Sequence, residues 1–266
     1  MSAPADAVVP RTQGVRKGSG KPIRLLALVI VSLAGWQLAA MALNTTALPT
    51  LPDFVIAAVN VVGTSTFWYS VGQTLLGWAI GLVLSACVAI PVGLLIGNSI
   101  VIDKMTRIPI DILRAVPLIV LTPLVVLQLG ATTSAKVFLI FVGSIWHLLI
   151  QTSYGAREVD SVARQTAISY HLTRFQRVRF LYLPSAAPFI ATGLRLSAIV
   201  GLLIAIGVEL ITGTAGLGLQ ILTLGANARS ASAFVYFIAA SILGLVITLT
   251  FRRIERAALF WHPRYR

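Results

Sequence analysis

The sequence predicts an all-α, polytopic membrane protein with six transmembrane helices. Of its 266 residues, 57% are hydrophobic and 11% charged, with a mean hydropathy of +0.90. A soluble domain carries about 25% charged residues. Stretches free of Asp, Glu, Lys and Arg cover 25–52, 54–102, 115–135, 137–156 and 230–251. A helix of ~20 apolar residues crosses ~30 Å of hydrocarbon, so each stretch can hold a span. The basic residues, in a chain of net charge +13, gather in alternate connections between these stretches. That pattern excludes an ordinary soluble enzyme, a disordered chain and a DNA-binding domain. The single cysteine, Cys87, excludes internal disulfides and multi-cysteine metal motifs.

Taken in order, the first span covers about 25–43 and follows a polar, basic tail, 1–24, read as disordered at its start. Its apolar core exceeds the ~7–15 residues of a cleaved signal sequence, which marks a retained anchor. The 54–102 run is too long for one span. Its start, from Asp53, predicts a short interfacial helix, with the second span at about 71–97. Further spans fall near 112–130, 134–153, 187–211 and 232–251, leaving 252–266 as a C-terminal tail. Gly77 and Gly81, then Gly93 and Gly97, offer small surfaces for packing spans closely. Trp68, Tyr69 and Trp261 sit at predicted interfaces.

Orientation follows from the retention of Lys and Arg in cytoplasmic loops. With the N-terminus inside, 18 of the 21 basic residues fall in the tails and in the 98–114 and 154–186 connections. Lys136 and Arg229 fall in outside connections, and Arg195 lies within a span. Both termini are expected in the cytoplasm. The positive charge is therefore a topology signal, and no nucleic-acid partner is expected.

Several motifs lack their chemical context. Gly18-Ser-Gly-Lys21 is followed by Pro22 where a phosphate loop needs Ser or Thr. Gly216-Leu-Gly lacks the third glycine of a dinucleotide fingerprint. His147, His171 and His262 are too separated to suggest a metal site. Ser144 and His147 share a helix face, but no oxyanion-type glycines surround them. His147 reads as a packed neutral side chain or, as an ionisable group inside a span, as a functional residue.

The informative segment is the 154–186 connection. It opens on Val159-Asp160, continues through a helical stretch and a basic turn, and ends on Leu183-Pro184. Thr173 is a suitable N-cap for a short basic helix, while Pro184 and Pro188 restrict the backbone before the next span. Gln165-Thr-Ala167, His171 and Leu183-Pro184 resemble the Glu-Ala-Ala, glycine and Leu-Pro signature of binding-protein-dependent ABC importer permeases. Leu51-Pro-Asp-Phe, Arg114-Ala-Val-Pro117 with Thr122-Pro123, Thr192-Gly-Leu-Arg195 and Glu209…Gly216-Leu-Gly218 resemble further family segments in the same order. The resemblance covers roughly 49–258 and is closest to the nitrate, sulfonate and taurine branch.

The resemblance implies a type I ABC importer permease fold, with 25–251 as the transmembrane permease domain, in the bacterial cytoplasmic (inner) membrane. The implied partners are two ABC ATPase subunits, a second identical or related permease subunit, an extracytoplasmic solute-binding protein and membrane lipid. The chain itself is expected to be non-catalytic and to hold no cofactor, with ATP and Mg bound by the ATPases. Gln165, Ala167, His171, Thr173, Arg174, Phe175, Arg177, Val178, Leu183 and Pro184 are the implied ATPase-coupling residues. Phe175, Val178 and Leu181 are expected on an apolar face, and Arg174, Arg177 and Arg179 on a polar one.

Two departures stand out. Gln165 replaces an acid and gives up a charge-assisted hydrogen bond. His171 replaces a glycine, so a left-handed backbone there carries a steric cost. Either the loop docks in a modified way, or this chain is the divergent half of a heteromeric permease. Glu209 is the one acid expected within a span, where a lone carboxylate costs ~2.5–3.5 kcal/mol or more. It is expected either to close an outer gate or to brace the turn at 213–218. Gln128 and Thr192 are further pore or gate candidates, and Arg114 and Arg195 are expected to snorkel. The substrate expectation is a small organic anion. A stand-alone secondary transporter is the alternative, although no clear inverted repeat supports it.

Overall fold

A computed structural model describes residues 21–43, 45 and 47–260. Arg11, Arg16, Lys17 and Gly18–Gly20 of the basic tail, and Trp261, His262, Arg264 and Arg266, lie outside the described residues. The helices are α1 (Lys21–Leu43), α2 (Leu51–Val62), α3 (Ser65–Asn98), α4 (Ile100–Ala115), α5 (Leu118–Leu129) and α6 (Thr133–Arg157). They continue as α7 (Ser161–Ser169), α8 (Arg174–Arg177), α9 (Leu183–Thr212), α10 (Leu217–Ala226) and α11 (Ser230–Ala258). A π-helical segment, Val178–Tyr182, joins α8 to α9. No strand occurs among the described residues.

Short polar side chains decide where most helices begin. Thr50, Thr64, Ser99, Thr132, Asp160 and Thr173 each accept a hydrogen bond from a first-turn backbone N–H, satisfying a donor that the helix cannot. The packed spine is α3–α6–α9. Gly77, Gly81, Gly93 and Gly97 all face α6, where an added Cβ would meet Lys136, Ile140, Thr152 and Ser153 respectively. The glycine spacing therefore serves packing within one chain. Polar ties lace the same spine: Trp78 Nε1 donates to Ala198 O at 2.8 Å, and Ser197 Oγ donates to Ser144 O at 2.7 Å. Ser144 is fully buried and donates in turn to Ser197 O, so it does not form a pair with His147.

Among the described residues five helices are long and apolar enough to cross a membrane, and the third of the six expected spans is broken. The stretch expected as one helix over 112–130 is instead the end of α4 and all of α5, bent by 83° between them. Pro117 causes the break, because proline disfavours the helical backbone of the preceding residue, and Val116 is extended with ψ 120°. At twelve residues, α5 spans only about 18 Å, too short to cross alone. The second span starts earlier than expected, at Ser65, and α11 extends past 251 to Ala258. Pro184 lies in the first turn of α9 and Pro188 inside it, so the helix runs through both prolines.

α1 is peripheral, with Leu28, Val31 and Leu38 exposed. It is tied down by Trp36 Nε1 donating to Pro49 O at 3.0 Å, and by Gln37 Oε1 accepting from Leu51 N at 2.8 Å. Exposed apolar side chains on α1, α3, α5 and α11 present the surface that lipid or another subunit requires.

Candidate functional site

Two regions concentrate the polar chemistry. The first is the connection between α6 and α9. Asp160 caps α7, with Val162 N donating to its carboxylate at 2.9 Å. The far end of α7 closes with His171 N donating to Ile168 O and Leu172 N to Ala167 O. These two bonds form the Schellman pattern, which puts a left-handed residue just past the helix end. That residue is His171, with φ +50°. The left-handed backbone considered from sequence is thus present and borne by a residue with a Cβ.

Thr173 then caps α8 reciprocally with Gln176. Gln176 N donates to Thr173 Oγ1 at 3.3 Å, and Thr173 N donates to Gln176 Oε1 at 2.8 Å. Arg177 Nε donates to Leu172 O at 2.9 Å, fastening the turn to the helix that follows. The loop is therefore hydrogen-bonded through its turn.

The expected faces are rearranged. Phe175 is exposed at 72%, whereas Val178 and Leu181 pack against the core cluster that includes Leu148, Tyr182 and Ala186. Phe180, 65% exposed, takes the outward place instead. The π segment explains the swap, because its wider turn shifts the phase of every following side chain. Arg174 and Arg179 are exposed, while Arg177 is half-buried. Gln165 and His171 are exposed, and Ala167 is buried beneath them. Leu183 and Pro184 are exposed at the start of α9.

The second region lies where α3, α6 and α9 meet the α9–α10 turn. Lys136 and Glu209 are both 0% exposed and pair at 2.9 Å. Lys136 Nζ also donates to Gln73 O at 3.1 Å and Ala215 O at 2.9 Å, using all three of its protons. Glu209 further accepts from Thr74 Oγ1 at 2.9 Å and from Gly218 N at 3.0 Å. Thr74 Oγ1 accepts in turn from Leu217 N at 2.9 Å. The start of α10 is thus pinned to α3, α6 and α9 through one charged cluster.

Glycines make room for it. A Cβ at Gly77 would lie 2.6 Å from Lys136 Cε, and one at Gly218 would lie 2.6 Å from Glu209 Cβ. At Gly216 it would overlap the Glu209 carboxylate. Of the two roles considered for Glu209, this geometry is that of a brace for the 213–218 turn.

Lys136 corrects the sequence-based placement in an outside connection. It stands in the first turn of α6, where the helix macrodipole disfavours a cation, and it is neutralised by Glu209. The Thr132-Thr-Ser run that caps α6 was the available signal for its place inside the helix. Arg195 is also corrected: it does not snorkel free but donates to Glu255 Oε2 on α11 at 2.9 Å. Arg114 is half exposed and pairs with Asp111 at 3.0 Å. Thr192 donates to Pro188 O at 3.0 Å and precedes Glu209 by about 25 Å along α9. The two therefore do not share a site. Gln128 is exposed near the end of α5.

Comparison with known proteins places this architecture. The profile of the family described as "Binding-protein-dependent transport system inner membrane component" matches residues 89–258. A Bacillus subtilis permease protein named for aliphatic sulfonates transport is 28% identical, with 100% of this chain and 99% of the relative aligned. The taurine transport system permease protein of Escherichia coli is 27% identical over 74% of this chain and 72% of its own. Among solved structures, a bacterial ABC transporter involved in import of the acidic polysaccharide alginate superposes with a TM-score of 0.66. It covers 91% of this chain and 94% of that one at 16% identity, a likeness of fold.

Proposed function

The chain belongs to the binding-protein-dependent transport system inner membrane components, and from that premise we propose how its loop and cargo path work. The protein is a transmembrane permease subunit of an ABC importer. In our reading it pairs with a second copy or a related permease and sits on two ATPase subunits that bind ATP and Mg. An extracytoplasmic solute-binding protein delivers its cargo. It resides in the bacterial cytoplasmic (inner) membrane with both termini inside. The cargo is a small organic anion, a sulfonate or carboxylate, in keeping with relatives named for aliphatic sulfonates and taurine.

One observation carries the coupling assignment: a loop capped at Asp160, His171 and Thr173 holds Phe175 and Phe180 outward. A lever must transmit a push without melting, and an outward aromatic pair supplies apolar area for a cleft on the ATPase. Gln165, Arg174 and Arg179 are exposed beside it. The test is co-purification and ATP hydrolysis of the assembled importer carrying Phe175→Ala and Phe180→Ala. Each truncation should weaken ATPase association by about tenfold or more, the ~1.4 kcal/mol scale of a buried aromatic contact. The fold itself should change by under about 0.5 kcal/mol, as at other surface sites. Wild-type association of the double variant would remove the loop from the coupling interface.

A further inference from the structure

We propose that the bend between α4 and α5 holds an anion-binding subsite on the transport path, built from Arg114, His147 and Trp146. This inference rests on the transport reading above and specifies what its cargo must look like.

A cavity of about 160 Å³ opens beside the bend, lined by Arg114, Leu118, Trp146, His147 and Val200 among others. Gly143 lies at its inner wall, where an added Cβ would collide with Leu118 and Ile204. The glycine thus lets α5 start against α6. His147 is exposed near the middle of α6, a position in hydrocarbon that an imidazole occupies only when water, protein or a ligand faces it. Its imidazole makes no hydrogen bond or ion pair among the described residues, and Ser144 is bonded to Ser197 instead.

Charge gives the ligand its sign. A second cavity of about 190 Å³ shares Arg114 and Ile150 with the first. It is lined by Arg107, Arg114 and Arg157 against Asp103 and Asp111. Arg114 pairs with Asp111, and Arg157 with Asp103. Arg107 is left in surplus, with no ion pair among the described residues. An anion leaving Arg114 therefore meets a further guanidinium in the adjoining cavity. The first cavity is otherwise walled by Val116, Leu118, Trp146, Ile150 and Val200, which suit a short apolar body. The ligand class is a small monovalent organic anion, such as a short alkanesulfonate or carboxylate. A bare inorganic anion would leave the apolar wall unfilled, and a cation would face the guanidinium.

The experiment uses the complete importer reconstituted with its ATPase and binding protein, and reads tryptophan fluorescence on titration with butanesulfonate. Trp146→Phe identifies the reporting residue. The expected result is a saturable change that Trp146→Phe removes and that butanol and butylammonium do not produce. Nitrate should bind at least about tenfold more weakly. Arg114→Gln, and Val200→Trp as a cavity-filling variant, should each weaken butanesulfonate binding about tenfold or more, while Arg114→Lys recovers part of it. Co-elution with the ATPase checks that the variants assemble. No saturable change in the wild type, equal binding of butylammonium, or undiminished binding by both Arg114→Gln and Val200→Trp would overturn the subsite. If instead the wild-type chain fails to associate with an ATPase, the importer assembly itself is overturned.

Discussion

The two polar regions solve opposite problems. Around Lys136 and Glu209, every charged group is buried and satisfied within the chain. In the α7–α8 connection, the bonds are local and capping, and the large side chains point outward. A buried charged cluster fixes the relative position of helices, because removing one partner strands the other in a low-dielectric interior. A capped surface turn fixes only its own shape and leaves its aromatic side chains exposed. Rigidity in the first region therefore comes from pairing between helices, and in the second from bonds within a single turn.

The sharpest way to break the comparison is Lys136→Met. It leaves the Glu209 carboxylate buried with only Thr74 and the Gly218 N–H, and should cost about 3–5 kcal/mol in detergent unfolding. The double change Lys136→Met with Glu209→Met should recover much of that loss. A double variant as unstable as the single one would show that the helices depend on the charges themselves. Next in size is Gly216→Ala. Its Cβ would meet the Glu209 carboxylate, so overpacking of about 1–3 kcal/mol is expected, read as a lowered melting temperature. The smallest effect belongs to the loop and has the opposite sign. His171→Gly relieves a left-handed residue and should stabilise the α7–α8 turn by about 1 kcal/mol, seen as slower amide exchange at Leu172. An unchanged exchange rate would mean that His171 gains as much from its surroundings as its backbone costs.

These outcomes also separate what was legible from what was not. Hydropathy predicts six spans, and the structure keeps five of them whole while breaking the third at Val116-Pro117. An apolar run shows that a segment can be buried, not that its helix is unbroken. A regular helical period predicts Phe175, Val178 and Leu181 on one apolar face, but the π-helical segment turns Phe180 outward with Phe175 instead. Thr173 as a cap and the left-handed site at His171 were legible, since both depend on neighbours within a few residues. Lys136 was missed because its partner stands 73 positions away on another helix.

Composition and hydropathy were enough to establish a helical membrane protein, and the spacing of local motifs was enough to place the turns of the connection between α6 and α9. Those features follow from chemistry acting over a few residues or averaged along the chain. The meetings of Glu209 with Lys136 and of Arg195 with Glu255, and the 83° bend between α4 and α5, come instead from the packing of the helices. Such pairings depend on how helices cross, and in hydrocarbon an unpaired charge or backbone group is costly enough that the crossing has to supply its partner.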